Sequence, residues 1–277
     1  MASSRPAKGG SMPYPRFRRT PEEAELFLAA YRRPVFRDVR ALTVPAESEP
    51  EALAAILPPP LEPANEPRVV FSIAEVRRSN CAGAFFVATV DISCTFQGER
   101  GAFCLAMPVS TDSALIFGRE LYGEPKKLAE IQLDERGDGT VHGSVTRHGI
   151  TYLELSAVLE PTEEPVRESE ADRYHFRFLP TPNGHIAGLV ELVRVRHRSR
   201  VRVTARGQAS VTLRDSPHDP LFDIPIRKVL GAAYSEGQME TEGRVVAKVP
   251  ADQFLPFAFA KVDDLLVWAE EPSGAGR

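Results

Sequence analysis

The chain has 277 residues, with 34 Lys and Arg against 38 Asp and Glu and a formal net charge of -4. That length can bury a full core without disulfides or metals, and the near balance of charge excludes an overall electrostatic footprint for nucleic acid. Its three cysteines, Cys81, Cys94 and Cys104, show no CxxC spacing, and no apolar run is long enough for a signal segment or a bilayer span. A cytoplasmic protein with no membrane partner, its thiols serving as small core residues, is expected.

Residues 1–19 are rich in Ser, Gly, Pro and Arg without a period, and read as a flexible tail ahead of a single domain over 20–277. A helix comes next, with Thr20 as its N-cap, Pro21 in the first turn, Glu22 and Glu23 at the positive end of the dipole, and Leu26, Phe27 and Ala30 on an apolar side. Residues 36–46 are extended. A second helix is predicted from Ser48, with a capping box to Glu51, and Pro58-Pro59-Pro60 stops it.

From there β-branched and aromatic residues mark strands near 68–77, 83–95, 101–108, 127–134, 140–147 and 150–159. They are punctuated by turn signals at Gln97-Gly98, Gly137-Asp138-Gly139 and His148-Gly149. A short helix is predicted at 112–121, capped by Asp112 or Ser113. A charged loop at 161–172 is the best alternative domain boundary, and further strands lie at 174–179, 186–195, 200–206, 208–213 and 229–248. In Val193–Arg202 valines alternate with arginines, as on the polar face of strands; a phosphate-binding stripe is the other reading. A last apolar helix is predicted over 251–268, and no internal repeat occurs. The pattern is α+β, mainly β: a barrel or sandwich with peripheral helices, able to hold a small ligand.

The chemistry concentrates in Gly118-Arg119-Glu120-Leu121-Tyr122-Gly123-Glu124-Pro125-Lys126-Lys127-Leu128. Adjacent cations raise each other's electrostatic energy, so one lysine gives up its proton more readily, and burial acts the same way. A neutral lysine amine forms an imine with a ketone or aldehyde. The glycine-arginine-glutamate to proline-lysine-lysine-leucine run resembles the signature of acetoacetate decarboxylases, which are themselves the standard example of a lysine activated by a cationic neighbour. The resemblance extends over about residues 36–250. Leu57–Glu62, Phe96-Gln97-Gly98 and Asp223–Val229 resemble, in order and spacing, the family's proline-rich helix exit, upstream hairpin and C-terminal segment.

The resemblance implies an acetoacetate decarboxylase-like β-barrel, a small oxo-acid or ketone substrate, no metal or organic cofactor, and a homo-oligomer. It places the imine on Lys126 and makes Lys127 the cationic neighbour. Arg119 and Glu120 are expected to form an ion pair bracing the lysine strand, with a substrate carboxylate as the alternative partner of Arg119. Two glutamates and an arginine near the lysine complete the family's site. Here Ser72 and Val87 stand where the glutamates are expected, and Arg40 is the arginine only with a one-residue gap.

Asp91 shares a strand face with Val87, whereas Glu75 points away from the Ser72 face. Glu124 is either an acid or base beside the imine or an exposed turn residue. Tyr234 is a candidate proton donor or a core tyrosine, and Met107 is a candidate substrate contact. Lacking the decarboxylase acids, the chain resembles divergent members assigned aldol, retro-aldol or dehydration chemistry. A lyase acting through a Schiff base is the leading expectation. A non-catalytic barrel binding a hydrophobic small molecule or a protein is the alternative.

Overall fold

The structure, a computed structural model, describes residues 17–186 and 188–267. Most of the predicted N-terminal tail lies outside the described residues. In chain order the elements are α1 (Pro21–Arg32), β1 (Val35–Ser48), α2 (Pro50–Ile56), β2 (Glu62–Pro63), β3 (Arg68–Ser79), β4 (Phe85–Phe96), β5 (Glu99–Val109) and α3 (Asp112–Leu121). Then come β6 (Lys126–Leu128), β7 (Glu130–Glu135), β8 (Thr140–Arg147), β9 (Ile150–Pro161), β10 (Arg167–Arg177), β11 (Leu189–Leu213), β12 (Ile226–Val229), β13 (Ala232–Pro250) and the single turn α4 (Ala251–Phe254). None of the described helices is long and apolar enough to cross a membrane.

The strands run β10-β5-β4-β3-β1-β13-β11-β9-β8-β7, and β10 pairs with β11 as well as with β5. The strands from β10 round to β11 therefore close on themselves, which leaves no free edge along the ring. Closure through β5 is a short parallel contact, Arg173 opposite Ala102 and Tyr174 opposite Phe103. The long β11 serves two layers. Its first part pairs with β10 and its second part with β9, while β13 accompanies it through both.

Side-chain alternation divides the apolar residues between the two faces of the sheet. One set, Phe36, Val76, Phe85, Val109, Val193 and Val195, converges inside the ring, and Ala114 and Phe117 of α3 pack against it. The other, larger set includes Leu42, Phe71, Ile73, Val90, Tyr152, Leu155 and Phe176, and lies between the ring and the layer of β7, β8 and β9.

The α1 capping box forms as the residues dictate, Thr20 with Glu23, but nothing on the helix is buried, and Leu26 and Phe27 are exposed. α2 starts later than predicted. Ser48 ends β1 and donates its hydroxyl to Pro225 O at 2.6 Å, so Glu49 takes the N-cap position. α3 is capped by Thr111, whose side chain accepts from Ala114 N, and not by Asp112 or Ser113. The second half of the segment expected to be a charged loop at 161–172 is strand β10, because its acids face the arginines of β11: Asp172 with Arg196 at 2.8 Å and Glu170 with Arg198 at 2.9 Å. Those cross-strand pairs stabilise a strand that carries no hydrophobic signal. They also neutralise the basic stretch, which is the polar face of a strand. The last helix is one α turn and then 3-10 turns at Leu255–Lys261 and Leu265–Val267. Pro256 removes a donor within it, and the final predicted position, 268, lies outside the described residues.

Candidate active site

The lysine run is set by α3 and the turn after it. The helix ends at Tyr122, Gly123 turns the chain at φ +75°, and β6 then pairs in parallel with β5, Lys126 beside Met107. A side chain at Gly123 would meet Arg177 Cα at 2.5 Å, so the turn needs glycine for both its conformation and its contact. Arg119 reaches forward from the helix to donate to Lys126 O at 3.0 Å and to Lys261 O. It therefore braces the lysine strand through main-chain carbonyls. It has no ion pair with Glu120, which is exposed, because neighbouring helix positions point apart.

Lys126 points into the ring and is 4% exposed. Its Nζ donates to Ala114 O at 3.0 Å and lies 2.7 Å from Glu124 Oε2, within ion-pair reach although that oxygen makes no aligned hydrogen bond. The rings of Phe117 and Phe85 stand 5.7 and 5.8 Å from the same nitrogen. Glu124 is buried, not an exposed turn residue. Burial pushes its carboxyl up, but the Lys126 charge, with that of Arg173, outweighs this and holds it below the ordinary carboxylate range. Gly118 is what admits the pair to the helix surface: a Cβ there would clash with Glu124 Oε2 and lie 2.5 Å from Lys126 Nζ.

Lys127 departs from its expected role. Successive residues of a strand face opposite ways, so its amine leaves the ring on the outer side. It donates to His218 O at 2.7 Å and Asp219 at 3.1 Å. Arg147 completes the cluster, at 2.5 Å from Asp219 and 2.7 Å from Asp263. Burial lowers the Lys127 amine against the opposing pull of Asp219. This cluster borders an apolar pocket of about 480 Å³ between Ile56, Phe103, Leu105 and Phe257. The lysine pair is thus divided between two compartments.

Ser72 and Val87 share the inner face with Lys126. Ser72 Oγ is 3.2 Å from Thr43 Oγ1, and Val87 packs at the margin of the inner apolar set. Met107 is buried as the register neighbour of Lys126. Arg40 and Tyr234 are elsewhere. They belong to the outer face with Leu42, where Arg40 binds Glu75 and Glu135, each at 2.5 Å, and the Tyr234 hydroxyl donates to Glu135. Tyr234 is a buried member of that core, and the sheet separates both residues from the Lys126 amine.

The inner face also holds polar groups that the motif does not announce. Asp91 pairs with Arg173 at 2.8 Å and accepts from Thr89 at 3.2 Å, while its Oδ1 has no partner. His175, on the same face of β10 as Arg173, is fully buried with neither ring nitrogen hydrogen-bonded. His197 Nδ1 meets Met239 Sδ at 3.0 Å and its Nε2 has no partner. The Tyr122 hydroxyl, 3.2 Å from Thr241 Oγ1, is pushed up to about 12 by burial. The period-2 pattern Arg173-Tyr174-His175-Phe176, with Tyr174 and Phe176 in the outer core, is the signal that reveals the two inward residues.

Burial lowers His175 to about 4, against the attraction of Glu124, and lowers His197 as well. Between about 4 and the ordinary 6.5 the unfolded chain binds a proton at His175 that the folded chain does not, so stability falls as pH drops through that window. For His175 the loss from pH 7 to pH 5 is about 2 kcal/mol. Glu124, held low, adds its own loss only below its unfolded value of about 4.3. Urea unfolding at the two pH values measures the slope. It should be shallower in His175→Gln, and an equal slope in that variant would show that the imidazole is not buried neutral.

The family model described as acetoacetate decarboxylase matches residues 11–249. The acetoacetate decarboxylase of Chromobacterium violaceum is 31% identical over 199 residues, 68% of this chain and 77% of that protein. Among solved structures, the acetoacetate decarboxylase of Legionella pneumophila superposes with a TM-score of 0.67 at 22% identity, covering 78% of this chain and 87% of the other. The enduracididine biosynthesis enzyme MppR, complexed with the condensation product of pyruvate and imidazole 4-carboxaldehyde, gives 0.62 at 20% identity, covering 77% and 89%. At those identities the two structures speak for the shared fold.

Proposed function

The chain belongs to the acetoacetate decarboxylase family, and from that premise we propose that it is a lyase in which Lys126 captures the carbonyl of a small oxo acid or ketone as an imine. The observation that carries this is a buried amine inside a closed ring, at the family's motif position, 2.7 Å from a single carboxylate. An ammonium must lose its proton before it attacks, and Glu124 is the acceptor in reach. Attack on the carbonyl carbon gives a carbinolamine, and loss of water gives an iminium that draws electrons from the adjacent carbon. Lys127, bound to Asp219 outside the ring, has no part in that activation. The interior itself supplies the desolvation.

The fate of the imine depends on the acids around it. With Ser72 and Val87 at the family's glutamate positions, and Glu124, Asp91 and His175 inside the ring, aldol-type or dehydration chemistry is favoured over loss of carbon dioxide. The condensation product held by MppR supports this choice.

The test is borohydride reduction in the presence of pyruvate or acetoacetate, and then intact mass. A substrate-dependent adduct should form in the wild type and in Lys127→Met and be absent in Lys126→Ala, while carbon dioxide release from acetoacetate stays weak. No adduct with any oxo acid tried would overturn the imine and leave the non-catalytic, small-molecule-binding barrel.

A further inference from the structure

We propose that His175 is the group that removes the proton from the carbon next to the Lys126 imine. The inference rests on the imine proposed for Lys126 and extends it to the next step. Several observations converge on this residue. It lies on the inner face of β10, fully buried. Gly123 and Pro125, which flank Glu124, meet His175 around a void of only about 10 Å³ that Phe103, Phe176 and Phe254 of the outer core close on its far side, so the imidazole adjoins the turn that carries the lysine's ion-pair partner. Both ring nitrogens are without a hydrogen bond. A buried polar group left unpaired is costly, and such groups in a native interior call for a ligand, water or proton-transfer role. The other inward groups are committed: Arg173 to Asp91 and Lys126 to Glu124. Tyr122 faces Thr241 and His197 faces Met239. His197 leaves only its Nε2 without a partner, whereas His175 has both ring nitrogens unpartnered and stands beside Glu124.

Burial keeps the ring neutral at ordinary pH, so it arrives as a base. In the step, His175 takes the proton from the carbon adjacent to the iminium carbon. The C–H electron pair becomes the carbon–carbon double bond of an enamine, and the C=N π pair moves to Lys126 Nζ. The imidazolium so formed lies beside the Glu124 carboxylate, whose charge already favours a proton on it. The enamine carbon is then free to attack an aldehyde or to take a proton back.

Deuterium exchange into the methyl group of pyruvate in D2O reads this step directly, and borohydride trapping on the same samples reads the imine. His175→Gln and His175→Asn should keep the trapped adduct within about 2-fold of wild type, while exchange per mole of adduct falls by about 10²-fold or more. His197→Gln, which alters a second buried imidazole, should keep both. A His175 variant that forms the adduct and exchanges at the wild-type rate overturns the assignment. So does His197→Gln losing exchange to the same extent. Absence of an adduct in the wild type would instead overturn the imine itself, so the two failures are distinguishable. The adduct also reports that a variant has kept its folded interior, and the two substitutions differ in length so that one fits if the other does not.

Discussion

Gly118→Ala is expected to lose at least about 10²-fold in the rate of imine trapping while destabilising the fold by only about 1–2 kcal/mol. The new methyl would occupy the space of Glu124 Oε2 and come within 2.5 Å of Lys126 Nζ and 2.7 Å of Lys126 Cδ. Two effects oppose each other. In a helix, alanine is favoured over glycine by about 1 kcal/mol. Against that, the ends of two buried side chains must move, and neither has solvent to move into. Side-chain ends give way more easily than backbone, so the fold absorbs most of the clash and the site does not. An amine displaced by about 1 Å is enough to cost two orders of magnitude in a reaction that depends on alignment. Trapping rates and urea midpoints of the variant separate the two consequences. Trapping at the wild-type rate would show that the pair is not lodged against the helix.

Glu124→Ala should cost about 3–5 kcal/mol of stability near neutral pH, the larger penalty of the two members of the pair. It leaves the Lys126 ammonium among Phe85, Phe117 and Ala114 with one carbonyl for company. Lys126→Met should cost less, because an orphaned carboxylate can take up a proton. Joining Lys126→Met with Glu124→Leu removes both charges and fills the volume, so the double variant should recover most of the loss. Urea denaturation of wild type, Glu124→Leu, Lys126→Met and the double variant closes the cycle and gives the coupling directly. Strict additivity, or a loss below about 1 kcal/mol for Glu124→Ala, would mean that the pair is solvated and the interior wet.

Much of the ring is legible in the residues. The predicted β8 has its observed bounds, and β3, β4, β5 and β9 agree within a few residues, because alternating β-branched and aromatic residues are bounded there by Gln97-Gly98 and His148-Gly149, where both residues of each turn have positive φ. The first half of β10 is not legible, because its stability comes from Asp172 and Glu170 facing β11, not from apolar residues of its own. α2 and the last helix depart from expectation where a local rule meets a stronger tertiary partner or a proline: Ser48 is held by Pro225, and Pro256 interrupts the helical pattern.

For the site, the sequence alone determined the Gly118–Leu128 run, the candidacy of Lys126, and the departures at Ser72 and Val87, since motif spacing is a one-dimensional property. It also set Glu75 and Ser72 on opposite faces and Asp91 on the face of Val87, since period 2 comes from strand geometry alone. Only the tertiary structure decided which compartment each side chain enters. It sent Lys127 outward to Asp219, placed Arg40 and Tyr234 behind the sheet with Glu135, buried Glu124 against Lys126, and brought Arg173 and His175 round from β10 to the same interior. Ring closure is the physical reason. Residues on β4, β6, β10 and β11 become neighbours only when β10 pairs with both β5 and β11, and no local pattern in the chain encodes that pairing.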